Sequence, residues 1–204
     1  LSVKIAGELS DFNPEDHFNR KEVGKLDPFS IYALVTAQEA ISQAGLNNGD
    51  VNKERIGVII GTGVGGIQTL ESQHGVLLSR GQRRVTPYFV PKFIANIAAG
   101  QIAIHHGFQG TNHTVISACA SGTDAIGTAA RTIQYGDADV VITGGTEASV
   151  TPLTISGFAN MRALSTRNDD PTSASRPFDL DRDGFVLGDG AGVMVLEEYE
   201  HAKK

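Results

Sequence analysis

The chain has 204 residues, of which 40% are hydrophobic and 20% charged, and its net charge is −6. This size and composition suffice for a substantial hydrophobic core. The acidic balance gives no support to a nucleic-acid or anionic-membrane partner. No apolar run reaches the roughly 18 residues of a membrane-spanning helix, and no secretion signal opens the chain, so we expect a soluble, cytoplasmic protein. Its single cysteine cannot form an internal disulfide, which fits a reducing compartment.

The hydrophobic pattern predicts helices that alternate with apolar strands. Helices are predicted as a short turn at Pro14 and over residues 29–44, 67–80, 91–105 and 121–135, with another beginning at Glu198. Strands are predicted over residues 56–60, 114–117, 140–143 and 190–196, the last as a buried strand. The polar residues 165–183 predict a long surface loop. Alternation of strands and helices favours an α/β layered fold over a sandwich.

Gly61, Gly63 and Gly66 form a G-x-G-x-x-G pattern between a predicted strand and a predicted helix, where a dinucleotide-binding turn belongs. Such a site also has an acidic residue about 20 residues further on. Here those residues are Gln82-Arg83-Arg84, although two arginines suit a 2′-phosphate. We interpret the pattern as a tight turn with close helix packing, and a nucleotide-binding module stays open as the alternative.

Cys119 lies at a predicted strand-to-helix junction, within Ser117-Ala118-Cys119-Ala120-Ser121. Backbone N–H groups and the positive end of the helix dipole at such an elbow can hold an oxyanion. The small neighbours leave room for a substrate. Cysteine is also a common buried residue, so ordinary packing is the alternative. The position at the elbow favours a nucleophile.

This segment and the motifs that follow resemble the β-ketoacyl-acyl carrier protein synthases. The motifs are Ala118–Gly122, Gly136–Asp139, Gly144–Ala148, Ala163–Thr166, Ser175–Asp179 and Arg182–Gly188. The resemblance covers nearly the whole chain, and residues 61–66 and 89–91 are similar to the type II elongation enzymes. It implies the α/β thiolase-like fold, in which two similar halves pack in α-β-α-β-α layers. Residues 1–204 are then an incomplete amino-terminal synthase domain.

The resemblance implies a two-step reaction that needs no metal or redox cofactor. Cys119 takes an acyl chain from acyl carrier protein, with its backbone N–H in the oxyanion hole. Malonyl-acyl carrier protein then loses CO₂, and its carbanion attacks the acyl-enzyme to give a 3-oxoacyl chain two carbons longer. The resemblance also implies a homodimer, in which the strand near residues 114–117 pairs across the two-fold axis.

Further site residues follow from the resemblance position by position. Val64 matches an acyl-pocket position where isoleucine is usual, which leaves more room. Phe89 matches a pocket residue that comes from the partner subunit, and Phe158 one that lines the path of the chain. Ordinary core packing is the alternative for these three.

Basic residues match or lie near positions that receive the acidic carrier protein. They are Lys21, Lys25, Arg83, Arg84 and Arg162. A solvated charged face is the alternative, and Gly24 stands where an arginine is common, which weakens the expected docking patch.

The family's decarboxylation step uses two histidines, one in an Asn-Ala-His-Gly-Thr type motif and one in a Gly-His motif after a lysine. Neither motif is present, nor is the family's glycine-rich gating loop, and its usual first strand would lie upstream of Leu1. The histidines of this chain have other contexts: His17, His74, His105, His106, His113 and His201. We therefore expect the chain alone to lack the condensation step, which the full-length enzyme would have.

Two other functions remain as alternatives. A thiolase or a coenzyme-A-dependent initiating synthase shares the fold and the cysteine. A chain-length-factor-like partner subunit is non-catalytic, but such partners usually carry another residue in place of the nucleophile, so Cys119 argues against it.

Overall fold

The computed structural model describes residues 1–47 and 51–203. A mixed sheet in the order β2-β1-β3-β4 forms its centre. The strands are β1 (Ile56–Gly61), β2 (Asn112–Val115), β3 (Val140–Glu147) and β4 (Gly190–Glu197). Strand β1 runs parallel to both β2 and β3, whereas β4 is antiparallel to β3. All six residues of β1 are buried, as expected of a central strand with both faces covered.

Helices cover both faces of the sheet. The described residues form the helices α1 (Arg20–Val23), α2 (Pro28–Gln43), α3 (Ile67–Arg80), α4 (Phe89–Phe93), α5 (Ile97–His106), α6 (Ser121–Gln134), α7 (Pro152–Asn160) and α8 (Tyr199–Ala202), of which α2, α5 and α6 pack on the sheet. On one face, α2 and α5 pack in the main core with β1 and β3. On the other face, the small residues Ala125 and Ala129 of α6 pack against Ile59 and Val141. The described residues therefore form α-β-α layers, which confirms the predicted α/β class.

The short predicted turn at Pro14 is a 3₁₀ helix, Pro14–Asp16, with Asn13 as its N-cap. Helices α2, α3 and α6 confirm three further predictions, with bounds that differ by at most one residue. None of the helices in the described part of the chain is long and apolar enough to cross a membrane.

The single helix predicted over residues 91–105 is wrong, because the segment forms α4 and α5 with a break between them. At the break, the backbone of Ile94 is extended. The Phe93 carbonyl accepts a hydrogen bond of 3.2 Å from the Gly66 N–H, and Ala95 packs against Gly65. The chain thus leaves the helix to meet the glycine turn, a tertiary contact that overrides local helix propensity.

Two strand predictions also need correction. Strand β2 ends at Val115, two residues before the predicted end, because Ser117 and Ala118 leave the sheet to form the turn before α6. Strand β4 was predicted as buried, but no residue in it is buried and Met194 is 45% exposed. The strand is exposed because, within the described residues, β4 is an edge strand that pairs only with β3.

Residues 165–183 form the predicted surface loop, with a short 3₁₀ turn at Pro171–Ser173. Asp183 closes the loop by accepting hydrogen bonds from the Ser165 hydroxyl at 2.7 Å and the Thr166 N–H at 3.0 Å. These bonds hold the pKa of Asp183 below its ordinary value. Two of the motifs that carry the family resemblance therefore meet in one contact.

The Gly136–Asp139 motif connects α6 to β3 and is fixed by Arg55. The Arg55 guanidinium donates to both carboxylate oxygens of Asp139, at 2.8 and 3.2 Å, and to the carbonyls of Gly136 and Asp137. A planar guanidinium suits this bidentate pairing. The contact aligns the beginning of β3 with the beginning of β1.

Asp27 is a fully buried carboxylate at the N-cap of α2. It accepts hydrogen bonds from the Thr69 hydroxyl at 2.6 Å, the Thr69 N–H at 2.9 Å and the Phe29 N–H at 3.3 Å. Burial raises the pKa of Asp27 above its ordinary value of 3.8, and these hydrogen bonds only partly oppose the rise. The native state therefore holds this proton more tightly than the unfolded chain does.

We expect the contribution of Asp27 to stability to be complete below its ordinary pKa and to be lost as the pH rises through the raised value. Asp27→Asn does not titrate, so its free energy of unfolding should lack this decline. Urea unfolding at a series of pH values checks the difference, with the exposed Asp11→Asn as the control. An offset between wild type and Asp27→Asn that stays constant with pH would contradict the prediction.

Candidate active site

Cys119 lies on a strained elbow between β2 and α6. The elbow is a 3₁₀ turn, Ala118–Ala120, in which Ala118 has a φ of 53°. Non-glycine residues adopt this left-handed conformation rarely and at an energetic cost. The turn presents Cys119 at the surface, with its side chain exposed. The sequence-predicted strand-to-helix junction is thus confirmed.

The buried hydroxyl of Ser121 holds the elbow in this shape. It accepts a hydrogen bond of 3.0 Å from the Ser117 N–H and donates one of 2.6 Å to the Ala118 carbonyl. The Ser117 hydroxyl donates to the carboxylate of Asp124 in the first turn of α6. These contacts stabilise both sides of the strained residue and so hold the backbone that carries the neighbouring Cys119.

Backbone N–H groups at the beginning of α6 follow Cys119 directly in the chain. Helix α6 has no side-chain N-cap, so the positive end of its dipole faces the elbow without a capping group. The Ala120 N–H donates to the Ser117 carbonyl, whereas within the described residues the Cys119 N–H has no hydrogen-bond acceptor. An N–H group beside the nucleophile is thus available to a developing oxyanion.

Glycines allow the strand ends to approach this elbow closely. A Cβ at Gly61 would lie 2.2 Å from the carbonyl oxygen of Ser121, and one at Gly145 would lie 3.0 Å from the Cα of Gly122. Real side chains do not tolerate the first of these distances. The ends of β1 and β3 therefore pack directly under the first turn of α6, which brings Cys119 next to the turn that follows β1.

An apolar cavity of about 470 Å³ opens in front of Cys119. Its walls include Val64, Phe158, Phe185 and Leu187, together with the glycines at the ends of the strands. Phe158 and Phe185 pack edge to face, with ring centroids 5.2 Å apart. The structure thus brings together Cys119, Val64 and Phe158 of the sequence-predicted site residues. A cavity of this size and lining suits an apolar chain.

Phe89 does not line this cavity. It lies on α4, half-buried, and its ring stacks on Phe93 with centroids 5.6 Å apart. The resemblance assigns it to the pocket of a partner subunit, and this assignment stays a prediction.

Glu147 is a cavity-lining residue to which the sequence analysis gave no role. Its carboxylate accepts hydrogen bonds from the Gly63 N–H at 2.6 Å, the Val64 N–H at 3.3 Å and the Thr62 hydroxyl at 3.3 Å. Burial raises the pKa of Glu147, and the donors of the turn oppose the rise. The signal in the sequence was a carboxylate at the end of the apolar run that begins at Val140.

The same contacts bear on the G-x-G-x-x-G pattern. A carboxylate of the protein itself occupies the N–H groups of Gly63 and Val64, where a dinucleotide-binding turn would offer its donors to phosphate. A Cβ at Gly66 would lie 2.4 Å from the carbonyl oxygen of Lys92. These glycines are required by contacts with other parts of the chain, which favours the tight-turn interpretation.

The basic residues named from the sequence are all exposed: Lys21, Lys25, Arg83, Arg84 and Arg162. The Lys25 ammonium lies 5.7 Å from the centre of the Tyr88 ring. The Lys92 ammonium donates to the Gly24 carbonyl at 3.4 Å, so a lysine from α4 brings positive charge to this position. Arg162 lies apart from this group and lines a second cavity, of about 430 Å³, with Arg176 and Arg182.

The α/β fold is that of the thiolase-like class, and in it a thiol on a strained elbow lies beside an apolar cavity. The chain belongs to the β-ketoacyl synthase family, since residues 3–202 match the sequence profile described as "Beta-ketoacyl synthase, N-terminal domain". It is 50% identical over 202 residues to the 3-oxoacyl-[acyl-carrier-protein] synthase 2 of Staphylococcus aureus strain N315, covering 99% of this chain and 49% of that protein.

Solved structures agree with this assignment. A β-ketoacyl synthase from Burkholderia phymatum STM815 superposes with a TM-score of 0.88 at 32% identity, covering 100% of this chain and 50% of that one. A type II polyketide ketosynthase, solved with its acyl carrier protein and bound to a hexaketide, gives a TM-score of 0.82 at 27% identity, covering 100% of this chain and 56% of that one. The chain thus spans about half the length of the relatives it matches.

Proposed function

We propose that Cys119 accepts an acyl chain from the thioester of acyl carrier protein, as the first half-reaction of a 3-oxoacyl-[acyl-carrier-protein] synthase of fatty-acid elongation. The observation that carries the proposal is the strained elbow, which presents the thiol to an apolar cavity beside the Cys119 N–H, a donor that has no acceptor among the described residues. The identity of 50% to a synthase of this name supports the substrate class.

In this half-reaction the Cys119 thiolate attacks the carbonyl carbon of the thioester. Negative charge develops on the carbonyl oxygen, where the Cys119 N–H and the beginning of α6 stabilise it. Collapse of the tetrahedral intermediate breaks the bond to the carrier sulfur, which leaves as a thiolate and takes up the proton that Cys119 lost. The acyl chain then extends along Val64 and Phe158.

In the second half-reaction, malonyl-acyl carrier protein loses CO₂ and its carbanion attacks the acyl-enzyme, giving the 3-oxoacyl product. The resemblance assigns the enolate-stabilising groups to two histidines. No histidine lines the cavity among the residues that the structure describes. We therefore assign acyl transfer to these residues and the condensation step to the whole protein.

Acyl carrier protein is the partner that this proposal requires, both acyl-loaded and malonyl-loaded. The exposed Lys21, Lys25, Arg83, Arg84 and Arg162 are proposed to receive its acidic surface. A related ketosynthase has been solved with its carrier protein, which supports this partnership. We further propose a homodimer that pairs through β2, because β2 is an edge strand of the described sheet and the neighbouring Ile116 is 61% exposed. We also propose that the protein is cytoplasmic.

Acyl transfer from carrier protein compared with coenzyme A tests the proposed function. The purified chain is incubated with the same long-chain acyl group on either carrier, and the intact mass is read over time. We expect a single acyl adduct that forms faster from the carrier protein. An equal or faster reaction with the coenzyme A thioester would instead indicate a thiolase-type enzyme, and a folded chain that forms no adduct would overturn the proposal.

A further inference from the structure

We propose that Glu147 is a positioning residue that controls which acyl chains reach Cys119, by holding the turn over residues 62–64 that carries Val64. This inference rests on the proposed acyl transfer to Cys119. It concerns a side chain that does not react and acts through the cavity wall.

Both carboxylate oxygens of Glu147 accept hydrogen bonds from this one turn. Oε1 accepts from the Thr62 hydroxyl, and Oε2 accepts from the N–H groups of Gly63 and Val64. Glu147 is the last residue of β3, which pairs with β1 over residues 140–145 and with β4 along its whole length. One side chain therefore ties the turn to the end of a central strand.

The position of this turn determines where Val64 lies relative to Cys119. Val64 lines the cavity, yet it is 45% exposed, so packing alone does little to restrain it. A Cβ at Gly63 would lie 3.7 Å from the Ala118 carbonyl oxygen, which shows how closely the turn passes the elbow. A shift of the turn therefore changes the space beside the thiol.

Two substitutions at Glu147 separate the effect of its hydrogen bonds from the effect of its charge. Glu147→Ala removes all three acceptor contacts and loosens the turn, which keeps the hydrogen bond of the Thr62 N–H to the Val115 carbonyl. Glu147→Gln keeps one oxygen for the two N–H groups and turns an NH₂ group to the Thr62 hydroxyl, which can accept as well as donate. We expect the alanine variant to change chain selectivity and the glutamine variant to retain most of it.

The test uses the fact that Cys119 is the only cysteine in the chain. Alkyl methanethiosulfonates convert it to a mixed disulfide, and the rate constants for the octyl and ethyl reagents give a selectivity ratio. We expect Glu147→Ala to change this ratio by about tenfold, the scale on which an apolar pocket discriminates a methylene group. Asp27→Asn removes a comparable buried carboxylate away from the cavity, and it should leave the ratio unchanged.

A double-mutant cycle with Val64→Ala decides whether Glu147 acts through Val64. If it does, Glu147→Ala changes the ratio in the wild-type background but not in Val64→Ala. A ratio within about twofold of wild type in folded Glu147→Ala, or an equal change in both backgrounds, would overturn the inference. Should Glu147→Ala not fold, Glu147→Asp, which is one methylene shorter, takes its place in the same cycle.

These outcomes are distinguishable from failure of the proposed function. The methanethiosulfonates report on the cavity without any thioester or carrier protein. If Glu147→Ala changes the ratio of octyl to ethyl rate constants but no thioester acylates the chain, the role of Glu147 is supported and the proposed acyl transfer is wrong.

Discussion

Cys119→Ala is expected to reduce acyl transfer by at least about a thousandfold, because it removes the proposed nucleophile. Its side chain is exposed and its neighbours at the elbow are held by Ser121, so the free energy of unfolding should stay within about 0.5 kcal/mol of wild type. Intact mass after incubation with long-chain acyl-carrier protein measures the first quantity, and urea unfolding measures the second.

Cys119→Ser is the matched variant, because it keeps the size of the side chain and replaces the thiol with a far weaker nucleophile. It should fold like wild type and form little adduct. If instead the adduct persists in Cys119→Ala, the acylated residue lies elsewhere. If Cys119→Ala unfolds, the cysteine contributes to packing, and its assignment as an exposed nucleophile is wrong.

Gly61→Ala is expected to lower the free energy of unfolding more than the other substitutions proposed. Its Cβ would lie 2.2 Å from the Ser121 carbonyl oxygen and 2.3 Å from the Ser121 carbonyl carbon. These are backbone atoms, so no side-chain rotation relieves the contact, and the end of β1 must separate from α6. We expect a loss of about 3 kcal/mol in the free energy of unfolding, at the upper end for overpacking.

Gly61→Ala should also slow the reaction of Cys119 with iodoacetamide, because the elbow loses its support. Gly127→Ala is the control, since Gly127 lies within α6 and a Cβ there meets no atom within 4 Å. Alanine favours the helix over glycine, so the control should stabilise the protein by up to about 1 kcal/mol. Similar effects of the two substitutions would show that Gly61 is not needed for the close approach.

The hydrophobic pattern alone predicted the class of fold and most of its elements. Residues 56–60 and 140–143 are short apolar runs, and such runs are stable only when both faces are covered, as β1 and β3 are. The junction at Cys119 was also predictable, because its small residues lie between an apolar strand and a helical pattern. These signals are local, and local chemistry is what a sequence displays directly.

The errors lie where a distant part of the chain determines the local structure. The break between α4 and α5 depends on the contact of Phe93 with Gly66, and the exposure of β4 depends on its place at the edge of the described sheet. Neither partner can be identified from a run of neighbouring residues.

The sequence by itself determined the α/β class, the position of the proposed nucleophile and, through its ordered motifs, the resemblance to the condensing enzymes. The resemblance placed Val64 and Phe158 along the acyl pocket, and only the tertiary structure shows that they line one cavity with Cys119 while Phe89 lies outside it. It also decided the role of Glu147, whose three donors lie more than 80 positions earlier in the chain. The physical reason is that hydrophobic periodicity reports what is buried, whereas contacts between residues far apart arise only when strands and helices pack.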